Sequence, residues 1–188
     1  MSAIPVFYGT TEGHTRRISE AIAAVLREQG FESEAVPLDS IRRSPDWITI
    51  VSAVVGGSLH AGKHQSSVAA FLKREVGHLN IRPAAFFSVS LSAGSRNPAE
   101  VATARDIAAK FVQAAGWEPR RVVCFPGKLA YTQYGFFTRW MMRRISVREG
   151  GPTDTSRDHD LTDWRAVREF ALAVAADARE RMLTLAAS

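Results

Sequence analysis

Short apolar runs rich in β-branched residues alternate with stretches of helical period along this chain, and that alternation leaves few architectures open. Residues 4–8 read as a first strand, followed by a helix in which Ile18, Ala21, Ile22, Val25 and Leu26 recur at helical spacing. Gly30 stands where a helix-ending glycine belongs. A shorter, more polar second strand is expected at 33–38. The run 47–55 reads as a buried central strand, ended by Gly56-Gly57 and followed by a helix over 66–76. Residues 84–89 form the next expected strand, and Pro98 opens the helix after it, closed by Gly116. The fifth strand is expected at 121–125 and the last helix at 164–183, with Thr162 or Asp163 as its cap. The order predicts an α/β fold: a doubly wound, five-stranded parallel sheet with helices on both faces, binding ligands beyond the carboxyl ends of its strands. All 188 residues read as one domain. Within it, 127–161 is far longer than the connection from strand five to the last helix requires, and reads as an insert with its own purpose.

Composition narrows the function classes. Cys124 is the single cysteine, so neither an internal disulfide nor a thiolate metal cluster is expected, and a reducing cytoplasm is the natural compartment. No apolar run approaches the 18 or so residues of a membrane span, and residues 1–5 do not read as a secretory signal. A net charge of +5 and a pI near 9.9 favour acidic partners. With no nucleic-acid-binding motif present, anionic lipid or an acidic small molecule fits that charge better than nucleic acid.

The chemistry concentrates in three loops that follow strands. Gly9-Thr10-Thr11-Glu12-Gly13-His14-Thr15 combines small and hydroxylated residues just before a helix. Its amides can converge on a phosphate, Thr10, Thr11 and Thr15 can add hydroxyl donors, and the helix directs its positive end at the same anion. The alternative is a hydroxyl-capped turn with no ligand. Gly57-Ser58-Leu59-His60-Ala61-Gly62-Lys63-His64 nearly spells a nucleotide P-loop, but His64 replaces the hydroxyl that such a loop gives to magnesium. The third loop, Ser90-Leu91-Ser92-Ala93-Gly94-Ser95, offers hydroxyls and backbone groups beyond the fourth strand.

His60 and His64 would face one metal if helical, yet no third ligand accompanies them, and no metal is expected. His14, His60 and His64 could each exchange protons near neutrality, and none is singled out as catalytic. In the insert, Phe136, Phe137, Trp140, Met141 and Ile145 form a broad apolar face if helical, with Arg139, Arg143 and Arg144 beside or within it. Such a face suits a lipid headgroup layer or a large apolar ligand with carboxylate arms, and equally a core helix or a contact between copies.

The loop from Thr10 to Thr15 is similar to the phosphate loop of flavodoxins. The wider set resembles the quinone-dependent protoporphyrinogen IX dehydrogenases, which are long-chain flavodoxin-like FMN proteins. That set comprises Ala85-Phe86-Phe87-Ser88-Val89-Ser90-Leu91, Gly116-Trp117-x-Pro119, the aromatic-basic insert, Gly150-Gly151-x-Thr153-Asp154-Thr155 and Thr162-Asp163-Trp164.

The resemblance implies a flavodoxin-like fold with FMN as cofactor. It implies contacts from Thr10, Thr11, Glu12, Gly13, His14 and Thr15 to the phosphate, and from Ser58, Leu59, His60, Ala61 and Gly62 to the ring. Ser90, Leu91, Ser92, Ala93 and Gly94 would meet the ring's other edge. It further implies oxidation of protoporphyrinogen IX, electrons passed to a membrane quinone, and a cytoplasmic protein held peripherally on the inner face of the cell membrane. Phe136, Phe137, Arg139, Trp140, Arg143 and Arg144 would then meet membrane or substrate. A flavodoxin-type electron carrier and an NAD(P)H:quinone reductase are the competing readings, and a homo-oligomer stays open.

Overall fold

The computed structural model describes residues 2–129, 147 and 154–187. Five parallel strands form the sheet in the order β2-β1-β3-β5-β6: β1 (Val6–Gly9), β2 (Ala35–Pro37), β3 (Val54–His60), β5 (Ala85–Ser90) and β6 (Arg121–Pro126). A two-residue strand, β4 (Lys63–His64), folds back antiparallel on the end of β3. Among the described residues, α1 (His14–Glu28), α2 (Ser66–Asn80), α3 (Pro98–Ala114) and α4 (Trp164–Ala186) connect and cover these strands. Because the chain passes from β1 to β2 on one side and reaches β3 on the other, a crevice opens beyond the carboxyl ends of β1 and β3.

Apolar residues divide by face as a doubly wound sheet requires. Ile18, Ile22 and Leu26 of α1 and Phe170, Val174 and Ala178 of α4 cover one side, over Val6, Val54 and Phe87. On the other, Phe71 and Leu72 of α2 and Val112 of α3 pack with Phe7, Val55 and Phe86. The expected punctuation holds: Gly30 and Gly116 follow α1 and α3 with φ of 87° and 71°, where a side chain would be strained. Asp163, not Thr162, caps α4, its carboxylate accepting from the amides of Arg165 and Ala166 at 3.0 Å.

One strand boundary departs from expectation. The apolar run 47–55 is not a single strand ended by Gly56-Gly57; β3 starts at Val54 and passes through both glycines to His60. Trp47 is buried beside the sheet, stacked on His78 with ring centroids 5.0 Å apart and donating from Nε1 to Glu75 at 2.9 Å. Burial pushes the Glu75 carboxyl up, but hydrogen bonds from Arg74, Ser44 and Trp47 outweigh it and hold it below its usual value. The glycines belong inside the strand because of what faces them. A Cβ on Gly56 would lie 2.0 Å from Cζ of Phe87, so only glycine lets that ring lie over the strand.

At the other end of the sheet, β7 (Lys128–Leu129) pairs antiparallel with β8 (His159–Asp160), joining the two described ends of the long connection in a ribbon. Lys128 and Asp158 form an ion pair of 2.6 Å beside it.

Candidate functional site

The three predicted loops emerge side by side from β1, β3 and β5, which are adjacent and parallel. In the first, Gly13 has φ of 79° and precedes α1, and its amide donates to Thr10 Oγ1 at 3.0 Å. Thr10 therefore shapes the loop. Thr11 and Glu12 are exposed, while His14 and Thr15 are buried.

Two polar atoms at this helix start have no partner among the described residues. Thr15 Oγ1 and His14 Nδ1 are both buried and unbonded. An unsatisfied buried polar atom costs about 1–3 kcal/mol, so the two at this helix start mark a place for a polar ligand. The first amides of α1 lack helical partners by construction, and the helix dipole adds positive potential there.

The other face of His14 is occupied. Thr162 Oγ1 donates to the carbonyl of Pro126 at 3.0 Å, so it must accept from His14 Nε2 at 2.6 Å. That fixes the hydrogen on Nε2 and leaves Nδ1 as the atom facing no protein group. Burial pushes the His14 pKa below its ordinary value; the Asp160 carboxylate, 3.6 Å away, pulls upward, and Arg17 and Lys128 push down with burial. Asp160 also accepts from Trp164 Nε1 at 3.3 Å and pairs with Arg17 at 3.4 Å. Burial raises Asp160, but hydrogen bonds from Thr162 and the charges of His14 and Arg17 keep its pKa low. The phosphate-type loop is thereby tied to the ribbon at the insert's base.

The second loop is a tight hairpin rather than an open turn. Ala61 and Gly62 have φ of 47° and 76°, the left-handed pair of a two-residue hairpin connection. Across it Leu59 pairs with His64 and His60 with Lys63. The two histidines are thus not helical neighbours, and the metal geometry that a helix would have given them is not formed. Ser58 is buried at the strand end, Leu59 is half-buried, and His60, Ala61 and Gly62 are exposed. His64 sits beneath, its Nε2 2.9 Å from Ser88 Oγ and its ring 4.4 Å from that of Phe111. Burial there lowers its pKa to about 4, so the ring is neutral at pH 7.

In the third loop Ser90 is buried, with its hydroxyl accepting from the amide of Ala93 at 3.1 Å and lying 3.1 Å from that of Ser92. Ser92–Gly94 forms one 3-10 turn, in which Gly94 approaches Pro126 too closely for a side chain, a Cβ there lying 2.9 Å from it. Leu91, Ser92 and Ala93 are half-buried, and Gly94 is exposed.

The structure thus gathers the residues predicted in all three loops at one rim. Phe136, Phe137, Arg139, Trp140, Arg143 and Arg144 lie outside the described residues. Three residues that sequence reasoning did not place here are Gln65, Asp160 and Thr162. In the sequence Thr162 reads only as a cap and as part of a family motif. A polar residue immediately before α2, facing two glycines, was the available signal for Gln65.

A parallel doubly wound sheet, with an anion-suited helix start at its switch point and two further loops beside it, defines the class of protein. The chain belongs to the flavodoxin domain family, whose model matches residues 5–156, and within it to the family of the quinone-dependent protoporphyrinogen IX dehydrogenases. It is 32% identical over 171 residues to the protoporphyrinogen IX dehydrogenase (quinone) of Escherichia coli strain K12, covering 90% of this chain and 93% of that one. Solved structures share the fold at much lower identity. Oxidised flavodoxin 1 from Bacillus cereus superimposes with a TM-score of 0.55 at 15% identity, covering 91% of this chain and 95% of that one. The rubredoxin oxygen:oxidoreductase of Desulfovibrio gigas gives 0.57 at 12% identity, covering 97% of this chain, which spans 37% of that larger protein.

Proposed function

We propose that this chain oxidises protoporphyrinogen IX to protoporphyrin IX with FMN as cofactor and a membrane quinone as electron acceptor. The observation that carries the reading is the buried, unpartnered pair Thr15 Oγ1 and His14 Nδ1 at the start of α1, in a chain 32% identical to such an enzyme. The donor set fits a terminal phosphate: the Thr15 hydroxyl and the first-turn amides of α1. Thr10 holds the loop in shape through Gly13. Ser58 with the hairpin 59–62, and residues 90–94, would hold the flat part of the cofactor.

When bound, the flavin supplies reversible two-electron chemistry between the saturated bridges of the porphyrinogen and the quinone. The chain's own contribution is to orient and enclose that group. His64, neutral and packed against Phe111, keeps the floor of the second loop free of charge. The insert, entered and left through the β7–β8 ribbon, would bring the site to the inner face of the membrane. Phe136, Phe137 and Trp140 would meet the lipid, and Arg139, Arg143 and Arg144 the substrate's propionates. No helix among the described residues is long and apolar enough to cross a membrane, which is consistent with peripheral attachment.

The test is anaerobic incubation of purified, FMN-loaded protein with protoporphyrinogen IX and a quinone. Porphyrin fluorescence should appear at a rate set by protein concentration. A preparation that takes up FMN but forms no porphyrin above the protein-free control would leave an electron carrier instead. Deleting 136–145 should remove quinone-coupled turnover while FMN stays bound; unchanged turnover would refute the insert's part.

A further inference from the structure

Gln65 lies between the first two loops, and its side-chain amide is fully committed. The backbone amide of Ser58 donates to Gln65 Oε1 at 3.1 Å. A backbone N–H can only donate, so this bond fixes which end of the amide is oxygen. The nitrogen, Nε2, therefore points the other way, and it meets two hydroxyls: Thr11 Oγ1 at 3.1 Å and, in a very close contact, Ser58 Oγ. Both hydroxyls must act as acceptors toward Gln65. Each consequently keeps its own hydrogen for something else.

The fold makes room for this arrangement. Gly9, the last residue of β1, is in register with Gly57 inside β3. A Cβ on Gly9 would lie 2.6 Å from Val68 Cγ2 and 3.2 Å from Gln65 Oε1, and one on Gly57 3.3 Å from Val68 Cγ2 and from His64 Cδ2. The two glycines thus leave room for the start of α2, Gln65 included, to lie close over the strands.

We propose that Gln65 is a positioning residue that sets hydrogen-bond polarity in the cofactor site. By donating to Thr11 and Ser58 it turns both hydroxyls into donors toward the ligand. The site then selects a molecule with acceptors at two separated places, an anion at the first loop and acceptor atoms of a flat ring at the second. This rests on the FMN reading above and adds the residue through which the two halves of the site are matched.

Gln65→Glu reverses the polarity with little change of shape, because a carboxylate accepts where the amide donates. The Ser58 amide keeps its acceptor, while the Thr11 and Ser58 hydroxyls are drawn into donating to the carboxylate. FMN and riboflavin affinities, read by quenching of flavin fluorescence, separate the phosphate half from the ring half. In the wild-type background Thr11→Val should weaken FMN about 10–100-fold, the range of one hydrogen bond to a charged group, and leave riboflavin unchanged. In the Gln65→Glu background the same substitution should change FMN affinity by less than about twofold, since the donor is already consumed. An equal cost of Thr11→Val in both backgrounds would overturn the proposal, because Gln65→Glu would then act through charge alone. Loss of neither ligand on Thr11→Val in the wild type would overturn it as well. Should Gln65→Glu fail to fold, Ser58→Ala and Thr11→Val in the native background decide. Ser58→Ala must weaken both flavins and Thr11→Val only FMN; any other division refutes the assignment. A wild-type protein that binds no FMN would instead sink the cofactor reading itself.

Discussion

Two segments of this chain look alike on paper: Gly9 to Thr15 and Gly57 to His64 each follow a strand, carry paired small residues and precede a helix. They fold in opposite ways. After β1 the strand stops, Gly13 turns left-handed with open space around it, and two buried polar atoms are left without partners among the described residues. After Gly57 the strand carries on and doubles back through Ala61-Gly62; Ser58 is bonded to Gln65 and His64 Nε2 lies against Ser88 Oγ, while His64 Nδ1 is buried without a partner among the described residues. The difference teaches that a glycine's meaning is set by what faces it. Gly13 supplies a backbone angle, whereas Gly56 supplies absent volume beneath Phe87.

Breaking that contrast most severely, Gly56→Ala should cost about 3 kcal/mol, because the added carbon meets an aromatic ring in a packed core. Gly13→Ala, with nothing nearby but a φ of 79°, should cost about 1–2 kcal/mol from backbone strain alone. Urea midpoints of the two variants rank them, and equal costs would contradict the distinction.

The floor of the second segment has its own signature. His64 is held neutral with a pKa lowered from 6.5 to about 4. Above pH 6.5 the folded and unfolded chains are both neutral at this position. Below it the unfolded chain takes up a proton first, so stability falls as pH drops from 6.5 to 4 and then levels off. The loss is on the order of 3 kcal/mol at most. His64→Gln should flatten most of that slope in denaturation curves between those limits, and an unchanged slope would place the titration elsewhere.

The first segment should respond in opposite senses to one change. Thr15→Val removes a buried, unbonded hydroxyl, so the ligand-free protein should gain about 1 kcal/mol. FMN affinity should nevertheless fall about 10–100-fold, the worth of a hydrogen bond to a charged group, with riboflavin unaffected. Calorimetry of both states checks the pair; a loss of stability without a loss of FMN would reverse the reading. The smallest effect is expected at the hairpin tip. Ala61→Asn should gain about 0.5 kcal/mol, since asparagine tolerates the left-handed region better than alanine at φ of 47°.

Much of the molecule was legible before any coordinates. Apolar periodicity located α1, Gly30 and Gly116 marked helix ends, Pro98 marked a start, and the threonine-rich loop marked a helix start with buried polar atoms. The run 47–55 misled because apolar composition reports burial, not conformation. Trp47 earns its burial by stacking on His78 and bonding Glu75, both contributed by a distant helix. The His60/His64 spacing shows a related limit: four apart means neighbours on a helix, but across a two-residue hairpin it puts the two side chains at different pairs.

Local rules therefore settled which segments are strands and helices, their alternation, and the place of the phosphate-suited loop, because propensity, caps and periodicity act over a few residues. Only the tertiary structure decided that β3 runs through its glycines, that Gln65 spans two loops, and that His14 leans on Thr162 and Asp160. Each of those depends on groups from 7 to 148 residues apart in sequence. Their contacts exist only once the sheet has brought the strand ends together, and no local pattern encodes which distant side chain will fill a given space.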